Sequence, residues 1–257
     1  MILGILKTVI IYFIQFYCLS MLILYLFQRN VLYYPTPYIP HEYKNENFLI
    51  DEGSINVIEI NENKKDAIIY FGGNVEAVVL NGATFKELFP KHSVYLVNYR
   101  GYGASVGEPS EKAFNRDALY IYDEIKKRHE NISVMGRSLG SGIATYLASQ
   151  RQIHKMILTT PYDSIQHIAQ DRFYIYPISL LLKDKYDSIS NIKNISSKTL
   201  VLLAKNDEII PLKYSLNLIK EFPKEQVVVK TIQNIDHNFI IDAKEYQSAM
   251  SLFMSEE

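Results

Sequence analysis

From about Asn47 onward the chain alternates short, continuous apolar runs with longer stretches of helical periodicity. Strands are expected at residues 55–60, 67–71, 94–98, 132–135, 156–160, 200–204 and 227–232, and helices at 111–129, 138–150, 212–222 and 243–254. Several of the strand runs, such as AIIYF at 67–71 and LVLLA at 200–204, are apolar at successive positions rather than at every second one. That pattern belongs to strands covered on both faces. Helices lying between such strands impose a mostly parallel sheet, because a parallel neighbour needs a crossover and the crossover is usually a helix. The expected class is therefore α/β, with helices on both faces of the sheet. Ser110 stands where it can cap the first of these helices.

Ahead of this pattern lies a different one. Residues 8–27 read TVIIYFIQFYCLSMLILYLF, carry no charge and are bracketed by Lys7 and Arg29. Twenty helical residues at about 1.5 Å each span about 30 Å, the hydrocarbon thickness of a bilayer. A helix of a soluble domain is rarely apolar on every side. A cleaved signal peptide has a shorter apolar region and a small-residue cleavage site, whereas this run ends in LFQRN. The expected organisation is an N-terminal membrane anchor over 1–30 and a domain over 31–257, joined by an extended link bearing Pro35, Pro37 and Pro40. The chain is thus expected at a membrane as a single-pass protein. Lys7 and the terminal amine balance Arg29 and Lys44, so the positive-inside count favours neither orientation.

Charge and cysteine content exclude some functions. The net charge is −1, with no basic excess to bind nucleic acid. Cys18 is the single cysteine, which rules out an intrachain disulfide or a thiolate metal cluster.

Within the domain, VMGRSLGSG at 134–142 contains Gly136-x-Ser138-x-Gly140, between an expected strand and an expected helix. A serine on such a turn stands free, and flanking glycines keep the strand and helix from clashing around it. The helix N-terminus aims unpaired N–H groups at the place where negative charge develops in acyl transfer. The serine also needs a base, and the base an orienting acid. His237 follows the last expected strand in NIDHNF, whereas His154 and His167 come too early to leave room for an acid strand. His41, His92 and His129 precede the serine. Asp207 lies just past the 200–204 run, ahead of its rivals Glu208, Asp163 and Asp236. Asp236 adjoins His237, which makes a bond to its ring harder. The expected triad is Ser138, Asp207 and His237. The expected oxyanion donors are the main-chain N–H groups of Asn74, after the Gly72-Gly73 turn, and of Leu139.

Taken in this order, these motifs resemble the α/β-hydrolase superfamily. They are most similar to its membrane-anchored serine hydrolases, which include eukaryotic protein depalmitoylases and many uncharacterised bacterial members. QRNVLYYPTP at 28–37 and NYRGYGASVGEPSE at 98–111 contribute to the resemblance, which covers nearly the whole chain. Many relatives have His-Gly where this chain has Gly72-Gly73. The resemblance implies an α/β-hydrolase fold and hydrolysis of an ester or thioester through an acyl-enzyme. It implies no metal or organic cofactor, and a small-molecule or acylated substrate. The rival readings are a non-catalytic, membrane-anchored binding protein of the same fold and a peptidase of the same fold.

Two further stretches stand out. Gly101, Gly103 and Gly107 miss the spacing of a dinucleotide loop, because Val106 occupies the third glycine position. They are expected in a loop near the active-site end of the sheet. Residues 161–190 are too long for a tight connection between strands and are rich in large apolar side chains such as Phe173, Ile178, Leu181 and Leu182. This segment is expected as a small cap insert, either a wall for an acyl chain or a plain packing helix.

Overall fold

The computed structural model describes residues 2–51 and 53–256. Eight strands form one sheet: β1 (Lys44–Ile50), β2 (Gly53–Ile60), β3 (Asp66–Phe71), β4 (His92–Val97), β5 (Asn131–Arg137), β6 (Lys155–Thr159), β7 (Lys198–Ala204) and β8 (Val227–Ile232). Their order is β1-β2-β4-β3-β5-β6-β7-β8. β2 runs antiparallel to both β1 and β4, and every pairing from β4 to β8 is parallel.

The helices are α1 (Ile2–Leu32), α2 (Gly82–Leu88), α3 (Glu111–Lys126), α4 (Leu139–Gln150), α5 (Ile165–Arg172), α6 (Ile178–Leu181), α7 (Ser188–Asn191), α8 (Leu212–Lys220) and α9 (Lys244–Ser255). One face of the sheet packs Ile69, Val134 and Val201 against α3, α4 and α8. The other packs Tyr70, Met135 and Leu202 against α2 and α9. Successive strand residues point to opposite faces, so two covered faces account for the unbroken apolar runs. Ser110 caps α3, its hydroxyl accepting from the N–H of Ala113 at 3.2 Å.

Phe71 stands in register with Val97 on one side and Gly136 on the other. The parallel strands therefore end nearly level, and the loops after β3, β5, β7 and β8 meet along one edge. In open α/β sheets this carboxyl edge is where ligands bind.

The insert carries α5 and α6 and ends in α7, and outside it the structure adds β1 and α2 to the elements expected. β1 falls partly within the stretch read as an extended link. Its sequence KNENFLI covers only Phe48 and Ile50, because it is the edge strand and its polar residues face water. α2 is only seven residues long, too short to leave a periodic signature. Gly101, Gly103 and Gly107 all take positive φ, at 78°, 55° and 124°. Their loop is thus a backbone requirement, and the Tyr102 it carries reaches the site described below.

α1 is 31 residues long, with a mean hydropathy of 2.2 over its most apolar stretch, which makes it long and apolar enough to cross a membrane. Its partly covered residues are Tyr17, Ser20, Met21, Leu24, Gln28 and Leu32. Steps of three and four place them on one stripe of the helix. The rest of the described helix is exposed.

Candidate active site

Ser138 sits between β5 and α4 with φ 50° and ψ −119°. A side chain at positive φ is strained, and strain of this kind collects at functional sites. The turn is held by the Ser138 N–H, which donates to the Thr159 carbonyl at 2.9 Å. The flanking glycines supply space. A Cβ on Gly136 would lie 2.7 Å from the Ala144 Cβ, and one on Gly140 would lie 2.6 Å from the Gly72 carbonyl oxygen. Both would push α4 off the sheet.

His237 arrives from the loop between β8 and α9, and Asp207 from the loop after β7. The His237 Nδ1 is 2.8 Å from Asp207 Oδ2, and its Nε2 is 3.0 Å from Ser138 Oγ. A carboxylate only accepts, so the imidazole proton sits on Nδ1 and Nε2 is left to accept from the serine. The second Asp207 oxygen accepts from the N–H groups of Ile209 and Ile210 at 3.0 and 2.7 Å. The other acids considered are placed elsewhere. Asp236 accepts from Asn238 and Phe239 N–H, shaping the histidine loop. Asp163 faces His167 and Asn217. Glu208 is exposed.

The two expected donors line the same cavity as Ser138 and His237, a space of about 690 Å³. The main-chain N–H groups of Asn74 and Leu139 have no hydrogen-bond partner among the described residues. The Asn74 side chain is engaged at both ends: its Nδ2 donates to the Leu32 carbonyl at 2.6 Å, and its Oδ1 accepts from Tyr102 Oη and the Tyr34 N–H at 2.7 and 3.1 Å. The last turn of α1 is thereby tied to this turn. Gly72 and Gly73 do not take positive φ, so the turn is not an unusual backbone conformation. They are needed for space: a Cβ on Gly72 would lie 2.6 Å from Val78 Cγ1, and one on Gly73 would lie 3.2 Å from Glu76 Oε2 and 3.3 Å from Arg137 Nη1.

Sequence reasoning missed the pair beneath the site. Arg137 Nη1 is 2.6 Å from Glu76 Oε2, with both side chains buried. The same Glu76 oxygen accepts from the Gly73 N–H at 2.7 Å, and Arg137 Nη2 donates to the His237 carbonyl at 3.2 Å. Burial pushes the Glu76 carboxyl up, but Arg137, the Tyr70 hydroxyl and the Gly73 N–H outweigh it and hold Glu76 below its ordinary value. Burial likewise opposes the Arg137 charge, and Glu76 more than restores it. The signal was a charged residue beside the glycine turn and another inside GRSLG, but sixty-one positions separate them.

Comparison with known proteins extends this geometry. The family model for serine hydrolase (FSH1) matches residues 75–237. An uncharacterized protein of Mycobacterium tuberculosis is 31% identical over 170 residues, covering 64% of this chain and 60% of its own length. The lysophosphatidylserine lipase ABHD12 of Gallus gallus is 33% identical over 170 residues, covering 56% of this chain and 44% of its own length. The chain thus spans less than two thirds of these curated relatives. Among solved structures, the esterase Pf2001 of Pyrococcus furiosus aligns with a TM-score of 0.67 at 14% identity, covering 86% of this chain and 98% of that one. Mouse alpha/beta hydrolase domain-containing protein 10 aligns with a TM-score of 0.65 at 14% identity, covering 82% and 96%. The architecture is that of the α/β-hydrolase fold.

Proposed function

Because the chain belongs to the serine hydrolase (FSH1) family, we propose that it cleaves an ester or thioester of an acylated substrate at a membrane, through an acyl-enzyme on Ser138. The observation that carries this reading is the hydrogen-bonded chain Ser138 Oγ, His237 Nε2, His237 Nδ1, Asp207 Oδ2, at 3.0 and 2.8 Å.

In the proposed reaction the Ser138 oxygen attacks the acyl carbon while its proton passes to His237 Nε2. Asp207 fixes the imidazole tautomer and stabilises the cation that forms. The carbonyl oxygen becomes an oxyanion between the N–H groups of Asn74 and Leu139, which sit at a turn and at the start of α4. Collapse expels the leaving alcohol or thiol, which takes the proton from His237. Water then enters, gives a proton to His237 and attacks the acyl-enzyme, and His237 returns that proton to Ser138 Oγ as the carboxylic acid leaves. α1 serves as the membrane anchor, and residues 161–190 serve as the cap over the cavity. The lipase activity named for the avian relative supports a lipid-like ester among the possible bond types.

The test is a fluorophosphonate probe on the full chain in detergent, together with a four-carbon acyl ester. Wild type is expected to label and to cleave, and Ser138→Ala to do neither while keeping its fold. A folded wild type that neither labels nor cleaves would sink the proposal in favour of a binding protein. Cleavage of peptide amides in preference to esters would favour the peptidase.

A further inference from the structure

The cavity holding Ser138 does not end at the catalytic residues. A second apolar space of about 200 Å³ adjoins it, and Val31, Leu32, Ile165, Ile168, Arg172 and Phe173 line both. From there the space runs between α1 and the insert, past Leu24 on one side and Ala169, Ile178 and Leu181 on the other. Its walls, apart from Gln28 and Arg172, are apolar side chains, and they come from two regions that the sequence separates by more than a hundred residues.

This docking of α1 is built rather than incidental. Gln28 Nε2 donates to the Leu181 carbonyl at 3.1 Å, and Gln28 Oε1 accepts from the Lys183 N–H at 2.7 Å. Arg29 Nε donates to Asp184 at 2.8 Å. At the far end, Tyr17 stacks on Tyr176 with ring centroids 5.4 Å apart, and Tyr176 Oη bonds to Ser20 Oγ at 2.9 Å. That contact lies about two turns of α1 beyond Leu24, toward the start of the helix.

We propose that the anchor helix is one wall of an acyl-chain site, and that the chain of a lipid drawn from the bilayer lies between α1 and the insert with its carbonyl at Ser138. This rests on the serine hydrolase reading and adds the substrate class to it. Three observations argue for a membrane lipid as occupant. The groove is continuous with the space around the nucleophile. Its outer wall is the one helix among the described residues that is long and apolar enough to cross a membrane. The tip of the insert beside that helix exposes Tyr174 and Leu180 at 80% and 82%, which suits contact with lipid rather than water.

The dimensions set a length. Leu24 to Leu32 is about 12 Å of helix, at roughly 1.5 Å per residue. An extended chain covers that in roughly ten bonds at about 1.2 Å per bond. Chains of about ten carbons or more therefore fill the groove, and the Tyr17–Tyr176 stack sets the upper limit.

Two experiments on the full chain in phosphatidylcholine vesicles test this. In the first, kcat/KM is measured for 4-nitrophenyl esters of four to sixteen carbons. It is expected to rise about fourfold per methylene to about ten carbons. Ala169→Trp, which fills the groove, is expected to lower the ten-to-four-carbon ratio at least tenfold, and Tyr176→Ala to move the optimum to longer chains. A flat profile, or a ratio that Ala169→Trp leaves alone, overturns the groove.

The second needs no turnover. Ser138→Ala protein is irradiated with decanoic acid bearing a terminal diazirine, and labelled peptides are mapped. Label within 24–32 and 165–182 supports the site. Label only on the lipid-facing residues 9–16 overturns it. An enzyme that cleaves nothing but labels in the groove would leave the acyl site standing and remove the hydrolase reading instead.

Discussion

Arg137 Nη1 lies 2.6 Å from Glu76 Oε2, and through this pair the turn after β3, the turn at Ser138 and the His237 loop share one buried anchor. The glutamate holds the Gly73 N–H, and the following N–H, that of Asn74, has no partner among the described residues. The arginine holds the carbonyl of His237. Neither side chain belongs to the proposed chemistry, yet both set the spacing of the groups that do.

Replacing one member strands the other. Glu76→Gln is expected to cost about 3 kcal/mol, the low end for breaking a buried pair, because the amide keeps hydrogen bonds. It is also expected to lower kcat more than it raises KM. The Glu76 carboxyl titrates below its ordinary 4.5 in the folded chain. Its contribution is therefore fully present above 4.5 and is lost as pH falls through the lower, folded value. Denaturant unfolding of wild type and Glu76→Gln in detergent should show a constant gap from pH 7 down to about that point and a narrowing gap below it. A gap that widens in acid would contradict the pairing.

Asp207→Asn keeps the shape of the acid and removes its charge. The amide can present an N–H to His237 Nδ1 and turn the imidazole to the wrong tautomer, so kcat for a short ester is expected to fall about 10⁴-fold. Asp207 also holds Ile209 and Ile210 N–H through its other oxygen, so a modest loss of melting temperature accompanies this. Adding Asp207→Asn to Ser138→Ala should cost almost nothing further, since residues acting as a unit are not additive. Retention of a tenth of the wild-type rate in Asp207→Asn would remove Asp207 from the proposed triad.

The glycines of the Ser138 turn are required for space. A Cβ on Gly140 meets the backbone of β3 and its turn, which cannot move aside, while one on Gly4 meets nothing within 4 Å. Gly140→Ala is expected to cost about 1–3 kcal/mol or more by overpacking and to lower fluorophosphonate labelling. Gly4→Ala should leave both unchanged. Equal melting temperatures for the two variants would refute the packing argument.

The strands that form the centre of the sheet were legible because covering both faces makes their runs apolar at every position. The edge strand β1 was not, since polar residues on its open face disguise KNENFLI as a link. Ser138, Asp207 and His237 could be ordered by position alone, and the structure brings their side chains within hydrogen-bond distance. Glu76 and Arg137 could not, because an ion pair across sixty-one residues leaves no periodic trace. The docking stripe of α1 was partly visible in hindsight: Tyr17, Ser20, Leu24 and Gln28 recur at steps of three and four within an otherwise featureless apolar run.

Next to that stripe, α1 is also held at Asp184. Its carboxylate accepts from Arg29 at the end of α1 and from the Glu111 N–H at the start of α3, joining the helix, the insert and the domain. The Arg29 side chain is 45% exposed, so solvent screens that ion pair and it contributes roughly 0–1 kcal/mol. The bond to the first turn of α3 adds about 0.3–1 kcal/mol from the helix dipole. Asp184→Asn, which keeps an acceptor, should therefore lower global stability only slightly. Asp184→Leu, which strands the Glu111 N–H, should cost about 1–3 kcal/mol. Both should loosen the insert, seen as faster amide exchange at 173–186 with the central strands unchanged. Exchange in that segment identical to wild type for both variants would mean that α1 and the insert are held together by their apolar contacts and the Gln28 bonds alone.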